Sequence, residues 1–130
     1  MLGATRLIPD MLPLTRQVQI ACRFAEESTA RLAGAPVPKA PENAEKTLAE
    51  LGGRIDAVLA HLKAFKPEQV DGSENREIVL TIGGNPLKLT GQQYLLHFAL
   101  VNFYFHCTTT HAILRQCGVD VGKRDFLGAI

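Results

Sequence analysis

Apolar residues recur at three- and four-residue intervals in three stretches of this chain and alternate in a fourth. After Pro13, the positions Leu14, Val18, Ala21, Ala25 and Leu32 keep one face of a helix, and Gly34 followed by Pro36 stops the run. Residues 34 to 43 contain Pro36, Pro38 and Pro41, so they predict a semi-extended connector. Thr47-Leu48-Ala49-Glu50 has capping-box spacing, and Leu48, Leu51, Ile55, Val58, Leu59, Leu62 and Phe65 then keep helical period. Gly52-Gly53 inside this second helix costs about 1 kcal/mol per glycine relative to alanine, which predicts a close approach by a neighbouring element. A dinucleotide loop is the sharper reading of the pair, but no glycine fingerprint or preceding strand supports it.

Glu77-Ile78-Val79-Leu80-Thr81-Ile82 and Pro86-Leu87-Lys88-Leu89 flank Gly83-Gly84-Asn85, a pattern of two short strands and a tight turn. Thr90-Gly91-Gln92-Gln93 is a second capping box, and the helix it opens runs to Gln116 or Cys117, with Gly118 as the terminating residue. Apolar residues of this helix, from Tyr94 and Leu95 through Phe103, Tyr104 and Phe105, point in nearly every direction. It is therefore expected to be the most buried element. The tail around Lys123-Arg124-Asp125-Phe126-Leu127 carries two apolar anchors and is expected to fold back. The fold class is thus mainly α, with three long helices and a small β-hairpin before the last one.

The length of 130 residues fits a single domain, 1–130, with one core. Fourteen lysines and arginines against 13 acidic residues leave a net charge of +1, which gives no long-range attraction for nucleic acid or an anionic membrane. His97, Asn102 and His106 interrupt the best apolar stretch, and Met1 to Leu14 lacks the apolar centre of a secretion signal. Cys22, Cys107 and Cys117 sit in apolar helical patterns, as reduced core thiols of a cytoplasmic protein would.

Four histidines, His61, His97, His106 and His111, raise a metal hypothesis. On an ideal helix His106 and His111 point about 140° apart, and His97 about 180° from His106, so the last helix holds no i, i+4 ligand pair. His97 and His111 share a direction but lie about 20 Å apart along the axis. A tighter grouping is Asn102, His106, Thr109 and Thr110, which fall on one stripe within a helical turn of each other. That stripe is expected to be a buried hydrogen-bond network that fixes register, or the lining of a small polar pocket. No nucleophile elbow, phosphate loop, CxxC pair or HExxH helix is present.

Several runs resemble the bacterial family called domain of unknown function 1993, which is grouped with the DinB and YfiT-like superfamily. They are the stretch from Pro9-Asp10-Met11 to Gln19, Leu32-Ala33-Gly34, Arg76-Glu77-Ile78-Val79-Leu80, Asn102-Phe103-Tyr104-Phe105-His106 through Arg115, Gly118-Val119, and Gly122 through Gly128. The resemblance covers nearly the whole chain and implies an up-and-down helical bundle. It also implies an additional helix before the Pro-Asp-Met segment, where this chain has nine residues ahead of Asp10. A bundle short of that helix would leave an apolar groove, for which a homodimer partner is expected.

DinB-like relatives that bind a divalent ion use three histidines on two helices, and the resemblance would place that set at His61, His106 and His111. In the family the position of His111 resembles tyrosine more often, so His106 alone sits in the matching motif. No cofactor is expected. The leading expectation is a DinB-like bundle without an assignable reaction that binds a small molecule or oligomerises. The alternative is a nickel- or zinc-dependent transferase or hydrolase of the DinB type.

Overall fold

The computed structural model describes residues 1–130. A 3-10 turn at Leu2–Ala4 leads to helix α1 (Leu14–Leu32), followed by α2 (Leu48–Lys63) and a single turn, α3 (Pro67–Val70). Strands β1 (Glu77–Ile82) and β2 (Asn85–Thr90) form an antiparallel hairpin. Helix α4 (Gly91–Tyr94), a π-helical turn (Leu95–Ala99) and α5 (Leu100–Gln116) then run on as one rod, and α6 (Lys123–Leu127) closes the chain. No helix is long and apolar enough to cross a membrane.

The ends of these elements follow the chemistry of their boundary residues. The Thr47 hydroxyl accepts from the Glu50 amide at 3.1 Å while Glu50 returns a bond to the Thr47 amide at 3.1 Å, and Thr90 and Gln93 do the same for α4. Gly34 and Gly118 take φ of +66° and +83°, and each lets the next residue bond back to a carbonyl of the last turn. The hairpin turn is the pair Gly83-Gly84, with φ of +57° and +80°, so Asn85 belongs to β2 rather than to the turn. Ile78 and Leu80 point inward from β1 and Val79 outward, as a half-buried strand requires.

Two clusters, not one core, hold the helices. Leu32, Ile78, Leu80, Tyr94 and Ala99 pack where the C-terminus of α1 meets the hairpin. Leu14, Leu51 and Ile113 pack at the opposite end, with Leu7 against them. Leu14 and Leu32 lie about 27 Å apart along α1. Helix α1 packs on both α5 and α2, whereas α2 and α5 scarcely meet.

Two expectations from the sequence are corrected here. The last helix is not the most buried element. Only Thr109 and Ile113 of α5 are buried, while Val101, Tyr104 and Phe105 are each more than half exposed. Seven residues of α1 are buried, because α1 is covered on two sides and α5 on one. The Gly52-Gly53 pair admits no close neighbour either, since a Cβ added at either position meets nothing within 4 Å. The glycine that does answer to crowding is Gly91, whose missing Cβ would collide with the Ser73 carbonyl oxygen.

These glycines give opposite expected outcomes. Gly53→Ala, in an exposed helix interior, is expected to stabilise by about 0.5–1 kcal/mol. Gly91→Ala is expected to destabilise by at least about 1 kcal/mol, as overpacking against a backbone carbonyl does. Urea midpoints of the two variants moving in the same direction would contradict this account.

Candidate functional site

Gln17, in the first turn of α1, is 2% exposed and links three segments. Its Nε2 donates to the Leu12 carbonyl at 3.1 Å, and its Oε1 lies 2.6 Å from Nδ1 of His106 on α5. The Leu12 carbonyl can only accept, so the amide nitrogen faces it and Oε1 faces the imidazole. In the neutral ring the proton therefore sits on Nδ1 and the lone pair on Nε2. Phe24 of α1 stacks on the ring at 6.0 Å and 16°, and Phe105 meets it edge-on at 5.1 Å. Burial among these rings lowers the His106 pKa below the ordinary histidine value and favours the neutral form.

The rest of the expected polar stripe does not form a network. Asn102 donates to the Phe98 carbonyl at 2.7 Å, Thr109 to the Phe105 carbonyl at 2.8 Å and Thr110 to the His106 carbonyl at 2.8 Å. Each bond runs back one turn along its own helix, the usual way such residues satisfy themselves when helical. Helical spacing put these side chains on one stripe, but the backbone carbonyls four residues back were nearer partners than each other. Only His106 crosses to another helix. Asn102 serves a second need, because its acceptor Phe98 lies within the π-turn, where the regular carbonyl ladder is interrupted.

The histidine set His61, His106 and His111 is not brought together. No group of three or more His, Cys, Asp or Glu side chains is placed to hold a metal ion. His106 faces Gln17, His111 packs edge-on against Phe126 of α6 at 5.6 Å, and His61 packs against Phe65 at 5.3 Å. The nickel or zinc site of the DinB type does not fit the residues as they are arranged.

What α1, α2 and α5 do build is an apolar groove of about 850 Å³, in the space left because α2 and α5 scarcely meet. Its floor is Val18, Ala21 and Cys22 of α1. Ile55 and Leu59 of α2 form one wall, with Phe103 and Cys107 of α5 opposite. The polar groups are few, chiefly Thr110, His111 and Asp125 toward the α6 end. Of the expected stripe, only Thr110 reaches this groove. Burial raises the pKa of both the Cys22 and Cys107 thiols, so they line it as neutral, weakly polar groups. Cys117 is exposed and belongs to no core, contrary to the expectation for it.

A second polar cluster closes the connector over α1 and α2. Arg54 and Glu45 pair at 3.2 Å with side chains 8% and 14% exposed, and the Gln19 amide donates to Glu45 at 2.8 Å. Burial alone would raise the Glu45 pKa. Hydrogen bonds from a backbone amide and Gln19, with the Arg54 charge, outweigh it and hold the pKa low.

With this geometry in view, the chain can be set beside known proteins. The family model described as Domain of unknown function (DUF1993) matches residues 1–127. The chain belongs to this family. A crystal structure of a DinB family member protein from Shewanella denitrificans is 41% identical, with a TM-score of 0.90 over 99% of this chain and 72% of that one. No curated protein matches the chain. The fold is accordingly DinB-like, and the bundle and hairpin described above are those of that relative.

Gln17 and Gln19 were not among the candidate site residues read from the sequence. Helical periodicity gave no cue to them, since at about 100° per residue they lie on opposite flanks of the face that carries Leu14, Val18 and Cys22, Gln17 beyond Leu14 and Gln19 beyond Cys22. Gln17→Leu leaves the His106 Nδ1–H and the Leu12 carbonyl without partners. It is expected to cost about 1–3 kcal/mol in chemical denaturation, and an unchanged midpoint would remove the link's importance.

The same link has a pH signature. His106 is depressed in the folded state, so its contribution is fully present above the unfolded histidine pKa of about 6.5 and is lost as pH falls below it toward the folded value. His106→Gln, which keeps an N–H to offer Gln17, should flatten the stability profile in that window. Loss of stability between pH 7 and 5 that is identical in both proteins would assign the effect elsewhere.

Proposed function

We propose that this DinB-like domain works by binding at the groove between α1, α2 and α5, and that it carries no metal-dependent reaction of its own. The observation that supports the reading is the groove itself. A volume of about 850 Å³, mostly apolar walls and a few polar groups at one end match the general form of a binding pocket rather than a catalytic constellation. Residues that bear chemistry elsewhere are committed to structure. The His106 Nδ1 is held by Gln17, Thr110 is bonded to its own helix, and Asp125 accepts from the Gly122 amide at 2.7 Å. The occupant that suits such walls is apolar, either a small molecule or the face of another polypeptide. Fold kinship with metalloenzymes does not decide the matter, because function belongs to the site.

The test uses dilute, tag-free protein and the apolar dye anilinonaphthalene sulfonate. Dye fluorescence is expected to rise on mixing and to fall several-fold with Leu59→Glu, which puts a charge in the groove wall while leaving the buried clusters untouched. Enhancement that Leu59→Glu leaves unchanged would remove the groove as the binding surface. Metal analysis of the same preparation is expected to find no stoichiometric nickel or zinc, and a full equivalent lost on His106→Ala would restore the metalloenzyme reading.

A further inference from the structure

We draw no further inference here: the strongest candidate, the apolar groove between α1, α2 and α5, carries none because nothing in the structure shows what covers it, further chain or a second copy.

Discussion

Helices α2 and α5 both lean on α1 and scarcely on each other, and most of the structure follows from that constraint. A helix covered on two sides must be apolar on two sides, and α1 meets this with small residues such as Ala21, Cys22 and Ala30 rather than with a single broad stripe of large ones. Small side chains bring its neighbours close along their length, while the larger residues gather at the ends in the Leu14 and Leu32 clusters. The space between α2 and α5 then has a floor and two walls and nothing above it, which is the groove.

Polar side chains set the geometry that packing alone leaves loose. Apolar contacts are non-directional, so small residues along α1 would tolerate sliding of either partner helix. Gln17 fixes α5 through His106, and Gln19 fixes the connector through Glu45, which Arg54 of α2 also holds. Both glutamines are buried and both are bonded at each end of the amide, so each works as a directional tie within an otherwise apolar face. This division of labour explains why the residue with the most site-like appearance, His106, is engaged with α1 instead of facing the groove.

The rod from Gly91 to Gln116 carries one irregularity, the π-turn at Leu95–Ala99. An extra residue in a turn rotates everything after it relative to an ideal helix, so directions extrapolated across the turn from His97 to His106 or His111 are displaced. Within α5 itself the angular argument holds, and His106 and His111 do diverge as the spacing required. Their divergence sends His106 to α1 and His111 to α6, and with His61 on α2 no donor set assembles.

Local chemistry made the elements legible from the sequence alone. Thr47, Thr90, Gly34, Gly118 and the Gly83-Gly84 turn mark boundaries through short-range hydrogen bonds and backbone conformation, which depend on residues within a turn of each other. The resemblance carried by the Asn102-to-His106 run and its neighbours placed the chain in its family. Which faces would be covered was not legible. The apolar residues around α5 read as burial on all sides, whereas only one side has a partner within the chain. The Asn102, Thr109 and Thr110 side chains turn back to their own helix through local bonds to carbonyls four residues earlier, whereas tertiary structure alone decided that Gln17 is His106's partner and that the groove lies open. Each of these depends on which residues 89 positions apart, or on separate helices, come within bonding distance, and periodicity carries no information about that separation.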